Sequence, residues 1–198
     1  MKNKVLNNLL DSHIKSPSNH KSIDISEHLN TLKEYGSKCN TITEMGVRWG
    51  SSTIAFLNSD AEEIISYDIV TNKDIQKIEN IVKETKINHK FIIADSLKID
   101  IKETDLLFID TLHTYNQLLN ELNLHSKNVK KYIILHDTTT FARKDEKIYP
   151  HASNIVKKEK INKVGLRTAM EDFLKNNNDW KIEKDYKNNN GLTILKRV

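Results

Sequence analysis

The chain is short of the residues that staple or punctuate a fold. Among 198 residues it has one cysteine, two prolines and five glycines. A lone thiol, Cys39, can close no internal disulfide and build no thiolate metal cluster, so a reducing compartment is expected. No Pro/Gly linker divides the chain, and no internal repeat appears. No apolar run approaches the ~20 residues that a membrane-spanning helix needs. The opening stretch, Met1 to Asn8, is polar where a secretory signal needs its apolar centre. A cytoplasmic protein with no membrane partner is the expectation. An excess of one charge is missing too: 31 basic and 27 acidic side chains are interspersed and leave a formal net charge of +4. So weak a basic bias is not a nucleic-acid footprint. The length fits one domain, with residues 1–36 read as an N-terminal helical extension and 37–198 as the main domain.

What is present is a strong alternation. Val5, Leu6, Leu9 and Leu10 have weak helical spacing, which Pro17 ends. Asp24 or Ser26 can cap a short helix through Tyr35, closed by Gly36. From residue 40, apolar strands are predicted at 41–45, 64–68, 90–94, 105–109 and 131–135. Helical spacing fills 51–58, 73–86 and 114–127, as in Ile75, Ile78, Ile81 and Val82. Short apolar strands separated by amphipathic helices predict a parallel sheet covered on both faces. The end differs: a helix at 165–176 leads to strands at 180–186 and 192–197, joined by Asn188-Asn-Asn-Gly191, whose residues tolerate positive φ. The fold class expected is α/β, a Rossmann-like, doubly wound, mostly parallel sheet with a C-terminal antiparallel hairpin.

Residues 42–53 read Ile-Thr-Glu-Met-Gly-Val-Arg-Trp-Gly-Ser-Ser-Thr. A strand ending in an acid, Glu44, breaks at Gly46, and Gly50, Ser51 and Ser52 open an apolar helix. A strand that restarts as a helix leaves N–H groups uncovered for a ligand. The dinucleotide pattern G-x-G-x-x-G is absent. Gly-x-x-x-Gly after an acid resembles instead the first motif of class I S-adenosyl-L-methionine (SAM) methyltransferases, and the reversed last strand resembles their variant of the Rossmann fold. The plainer reading is a strand-to-helix turn with two glycines for geometry. Further acids fall at strand ends, at Asp68, Asp95, Asp110 and Asp137. Asp68 stands where a carboxylate can accept from ribose hydroxyls, or simply cap the turn before Thr71. The resemblance implies that Asp95 and Ser96 lie beside the adenine ring and suits Glu44 to the ammonium of the methionine moiety. Trp49, inside the glycine loop, can stack on a ligand or pack.

The chemistry is expected between two segments, 105–121 and 131–141. Neighbouring parallel strands bring Asp110 and Asp137 together, with an imidazole nearby, in an oxygen-rich site for a hard cation such as Mg²⁺. Such an ion lowers the pKa of a bound hydroxyl, and His113 can take the proton. The structural alternatives are a helix-start role for His113 and an Asx turn for Asp137. Phe-Ile-Asp-x-x-His-x-Tyr at 108–115, with His-Asp-Thr at 136–138, resembles SAM-dependent O-methyltransferases of the macrolide-sugar and cephalosporin-hydroxylase-like group. The tail, 166–174 and 188–195, is similar to the ending of that group, so the resemblance covers about residues 40–198. It implies that Asp110 and Asp137 ligate a metal and that His113 is the general base. That group often has a carboxylate where this chain has His136, which would then complete the ligand set with one negative charge fewer.

The segment 142–164 is rich in Lys and Arg and reads as a basic lid or a solvated charged face. Taken together, these residues predict a SAM-dependent methyltransferase acting on oxygen of a small hydroxylated acceptor, a sugar, sugar-bearing metabolite or glycan. Mg²⁺ or another divalent cation is the implied helper, and self-association stays open. Two alternatives remain at this point: an oxidoreductase with a nucleotide cofactor, which would bind NAD and not S-adenosylhomocysteine (SAH), and a non-catalytic SAM-binding homologue.

Overall fold

The computed structural model describes residues 4–85, 87–150, 152–154, 156 and 162–198. Two helices, α1 (Lys4–Lys15) and α2 (Leu29–Gly36), lead into β1 (Thr41–Met45). Alternating elements follow: α3 (Ser51–Leu57), β2 (Glu63–Asp68), α4 (Lys73–Lys83), β3 (Asn88–Ile93), β4 (Thr104–Ile109), α5 (Tyr115–His125) and β5 (Val129–His136). Then come α6 (Leu166–Asn176) and the hairpin β6 (Trp180–Tyr186) and β7 (Leu192–Arg197). The seven strands stand in the order β3-β2-β1-β4-β5-β7-β6. Strands β1 to β5 pair in parallel, and β7 runs antiparallel to both β5 and β6. The expected fold class is therefore the observed one.

Central strands with helices on both faces must be apolar on both. All six residues of β4 are buried, and their side chains alternate between two cores. Leu106 and Phe108 join Ile42, Ile64 and Ile134 under α1–α4, while Leu107 and Ile109 join Met45, Ile133 and Leu135 under α5 and α6. Local signals start the helices. The Asn72 side chain accepts from the N–H of Asp74 and Ile75 to cap α4, and Thr114 accepts from Gln117 N–H to cap α5. In the hairpin turn, Asn189, Asn190 and Gly191 take the positive φ that their residue types allow.

The N-terminal residues are built into the first core. Leu6, Leu10, Leu29 and Leu32 are buried in it, and Asn58 Nδ2 donates to the Leu6 carbonyl at 3.0 Å. The expected caps are not used. A 3-10 turn, Ser26–His28, runs into α2 without a side-chain cap, because Asp24 points its carboxylate at Arg48 instead, 2.6 Å away. Of the lysine-rich segment, His151, Lys157, Lys158 and Lys160 lie outside the described residues. No described helix is long and apolar enough to cross a membrane.

If α1 belongs to the core, Leu10→Ala should lower the global unfolding free energy by about 2–5 kcal/mol. Urea titration followed by fluorescence checks this. A change confined to a few tenths of a kcal/mol would mark the segment as an appendage.

Candidate functional site

Strand order reverses between β1 and β4, so the carboxyl ends of these strands diverge and leave a crevice. A cavity of about 580 Å³ opens there, walled by residues that follow β1, β2, β3, β4 and β5. Gly46, Asp68, Asp95, Ser96, Asp110, His113 and Asp137 all line it.

The glycine loop is shaped by chain-to-chain contact. Gly46 has φ +84°, and a Cβ there would fall 1.9 Å from the Asp110 carbonyl oxygen, so glycine lets β1 and β4 close on each other. Gly50 has φ +82°, and its Cβ would strike Ile78 on α4 at 2.2 Å. Asp68 Oδ2 accepts from the N–H groups of Val47 and Arg48 at 2.8 and 3.0 Å and so ties the loop to β2. Arg48 thereby holds φ +51° on the cavity rim.

Four residues expected at the cofactor turn away from the cavity. Glu44 is fully buried: Ser52 donates to one oxygen at 2.6 Å, and Thr53 and Ser66 donate to the other. Ser51 Oγ lies 3.0 Å from His13 Nδ1, and Gly50 faces α4. The reason is the strand period. Glu44 shares a face with Ile42, and that face packs under α3. Burial pushes the Glu44 carboxyl up to about 7 against the three hydroxyls that favour its charged form. Trp49 lies under the Lys21 ammonium, 3.7 Å from the ring centre, and lines a separate small pocket.

Asp95 and Ser96 reach the cavity from the end of β3. Asp95 caps the turn Ser96–Lys98 through Leu97 N–H and pairs with Lys98 at 2.9 Å. Ser96 donates to Glu121 Oε1 at 2.6 Å, and Thr111 and Gln117 donate to the same carboxylate. Burial raises Glu121 to about 7.

Beyond these lies the acid–imidazole cluster. His113 Nε2 stands 3.1 Å from Asp110 Oδ1 and 3.0 Å from Asp137 Oδ2, and its Nδ1 stands 2.8 Å from Glu146 Oε2. Burial alone would lower the imidazole, but the three carboxylates outweigh it and push it up to about 12. Burial would raise Asp110 and Asp137, yet the neighbouring imidazoles hold both below the usual carboxylate range. Asp137 takes φ +58° directly after β5 and lines the cavity. Its Oδ1 is buried with no hydrogen-bond partner among the described residues, an acceptor ready for a cation or a donor.

One ligand differs from expectation. Asp110, His113 and Asp137 offer atoms within 4.8 Å of one another and form the one such group among the described residues. His136 is not on the cavity wall. As the last residue of β5 it points to the opposite face from its neighbour Leu135, and its Nε2 donates to the Asp24 carbonyl at 3.1 Å. Its Nδ1 lies behind the aspartates, 3.3 Å from Asp110 and 3.5 Å from Asp137, at ion-pair distance without hydrogen-bond alignment. Against its burial, the two aspartates raise His136 to about 10. Sequence reasoning missed Phe141, stacked on the His113 ring at 4.8 Å and 6°, and Glu146. The sole signal was the acid pair Asp145-Glu146 inside a basic loop.

The wall carries six carboxylates (Asp24, Asp68, Asp95, Asp110, Asp137 and Glu146) against one guanidinium and one imidazole. Such a field favours cationic ligands.

No protein-family model matches the chain, and no curated protein matches it. Solved structures do. The chain is similar to the N-methyltransferase NodS from Bradyrhizobium japonicum WM9 in complex with SAH, with 12% identity, 98% of this chain and 97% of that chain covered, and a TM-score of 0.62. A putative caffeoyl-CoA O-methyltransferase from Staphylococcus aureus matches with 15% identity, 99% and 100% coverage, and a TM-score of 0.51. The N-terminal domain of EvdMO1, in the presence of SAH and D-fucose, matches with 13% identity, 88% and 83% coverage, and a TM-score of 0.52. Identities this low carry the fold. The chain has the class I methyltransferase fold.

Glu44 provides a test of the loop's foundation. Its folded-state value of about 7 lies above the ~4.3 of an unfolded glutamate. The native state therefore keeps a proton that the unfolded chain releases. The stability this contributes is full below about pH 4 and is lost as pH rises to about 7. Glu44→Gln should remove that loss, on the order of 3 kcal/mol, from the stability profile measured by denaturant at a series of pH values. An unchanged pH slope would show Glu44 ionised in the native core.

Proposed function

We propose that this chain is a SAM-dependent methyltransferase that methylates an oxygen of a small hydroxylated acceptor, a sugar or sugar-bearing metabolite, with help from a divalent cation. The observation that carries this reading is the meeting of the glycine loop and the Asp110–His113–Asp137 cluster in one acidic cavity. SAM bears a sulfonium and an ammonium, and the six carboxylates on the wall favour such a ligand. The solved structure of EvdMO1 with D-fucose supports a sugar, as does the motif resemblance of residues 108–115 and 136–138 to macrolide-sugar O-methyltransferases. The buried thiol of Cys39 is consistent with a cytoplasmic setting.

In this reading Asp68 accepts from a ribose hydroxyl with the Oδ1 lone pair that the N–H groups of Val47, Arg48 and Val70 leave over, and Asp95 and Ser96 border the base. The donor set fits a hard cation: an imidazole and two carboxylates, of which Asp137 has its buried Oδ1 without a partner among the described residues. Asp110, Asp137 and His113 would hold the ion, which would supply Lewis-acid charge that lowers the pKa of an acceptor hydroxyl. With both ring nitrogens engaged, His113 would give up the general-base role expected of it, and the hydroxyl proton would leave to water. His136 supports the aspartates from behind. Metal ligation and protonation of His113 compete for the same carboxylate oxygens, so the imidazole is neutral only where those oxygens are otherwise engaged. Phe141, Tyr149 and Asn190 lie on the wall beyond the cluster, where an acceptor ring with several hydroxyls finds both stacking area and hydrogen-bonding groups.

Calorimetry should show SAH binding to the wild type, weakened about tenfold or more in Asp68→Ala through lost charge-assisted hydrogen bonds. Unchanged affinity in that variant would reject the ribose role. Asp110→Asn should leave SAH affinity within about threefold while transfer of labelled methyl from SAM to a panel of neutral sugars and glycosides falls by at least about a hundredfold. A fully active Asp110→Asn enzyme would remove the cluster from the reaction.

A further inference from the structure

His113 is gripped on both ring nitrogens, and one grip comes from outside the sheet. While Nε2 faces Asp110 and Asp137, Nδ1 donates to Glu146 Oε2. The same carboxylate accepts the backbone N–H of His113 at 3.2 Å, and Glu146 N–H donates to the His113 carbonyl at 2.9 Å. Three bonds thus join two residues 33 apart in sequence. Phe141 lies flat on the ring and blocks tilt. The other carboxylate oxygen of Glu146 accepts from the Tyr149 hydroxyl.

The strap that carries Glu146 is itself anchored. Asp145 Oδ1 accepts from Tyr115 N–H at 2.9 Å and Gly165 N–H at 2.7 Å. Arg143 forks onto Glu171 at 2.7 and 2.8 Å. Glu146 is therefore presented by a segment tied to the start of α5 and to α6. Its side chain is 16% exposed, so the bond to Nδ1 is shielded from bulk water.

An imidazole held only at Nε2 can turn over, exchanging the positions of nitrogen and carbon on the side that faces the aspartates. A carboxylate on Nδ1 excludes the turned ring and, in the neutral ring, keeps the one proton on Nδ1. We propose that Glu146 is a positioning residue that bonds the Nδ1 proton of His113 and thereby keeps Nε2 facing the space between Asp110 and Asp137, where the neutral ring presents its lone pair. The proposal rests on the reading of Asp110, His113 and Asp137 as a cation site, and it adds a residue that reaches that site only through His113.

Two measurements on the full chain test it. Nitrogen-15 NMR of the histidine rings reports the Nδ1 proton directly, with or without metal. The proton shielded by Glu146 should give a resolved downfield resonance in the wild type and in Glu146→Gln, whose amide oxygen still accepts, and none in Glu146→Ala. Mn²⁺ affinity, followed by calorimetry or electron paramagnetic resonance, should fall about 10–100-fold in Glu146→Ala and stay near wild type in Glu146→Gln. SAH affinity should hold in both. If Glu146→Ala does not fold, Glu146→Asp, whose carboxylate stops one methylene short, takes its place with the same expected loss. An Nδ1 proton resonance, assigned apart from the Nε2 one, that survives in Glu146→Ala, or a Glu146→Gln protein that loses it as fully as Glu146→Ala, overturns the proposal. A wild type that binds no Mn²⁺ sinks the cation reading alone, and the resonance then decides the role of Glu146.

Discussion

Two like charges held side by side set the terms for this rim. Asp110 and Asp137 end neighbouring parallel strands, and their ligand atoms lie within 4.8 Å. At that spacing, and with an effective dielectric constant near 20, their repulsion is about 3 kcal/mol. The fold accepts this cost because it surrounds the pair with positive charge. His113 bridges them from the cavity side and His136 from behind. Removing a partner from such a set leaves a buried charge uncompensated, so the cluster has to be assembled as a unit.

Much of the remaining structure serves that assembly. Gly46 closes β1 against the Asp110 carbonyl, which places the glycine loop beside the cluster. The N-terminal segment reaches the same place: the Asp24 carbonyl receives His136, and the Asp24 carboxylate receives Arg48 from the loop. The hairpin turn closes the circle. Asn190 offers its carbonyl to the N–H groups of Thr139 and Thr140 just past Asp137, while Asn188 accepts from His28. Three segments distant in sequence meet around two carboxylates.

The sheet was almost fully legible beforehand. All seven strands and helices α2 to α6 were expected within a few residues of where they lie, because short apolar runs and helical spacing alternate clearly here. The acids at strand ends were also legible, since α/β topology places strand ends at one edge. Which face each side chain takes was not. Alternation fixes that neighbours differ, without saying which of them looks into the cavity, so Glu44 and His136 were placed at the ligand while the structure turns both inward. Ser51 and Ser52 open α3, where their hydroxyls bond His13 and Glu44. Asp24 was read as a helix cap because its local sequence allows it, and a tertiary partner, Arg48, took it instead. Glu146 had only a faint signal, the acid pair Asp145-Glu146 in a basic loop: its partner is 33 residues away, and nothing there announces that one acid folds back on an imidazole.

The proposed chemistry needs a cation and a sulfonium nucleoside in one crevice. The most direct measurement is a crystal of the protein grown with SAH and Mn²⁺, read at the manganese absorption edge. The account predicts an anomalous peak between Asp110 and Asp137 within bonding distance of His113 Nε2, with the SAH sulfur facing that peak and its ribose on Asp68. SAH bound elsewhere, or a crevice with no anomalous peak at the aspartates, would contradict it.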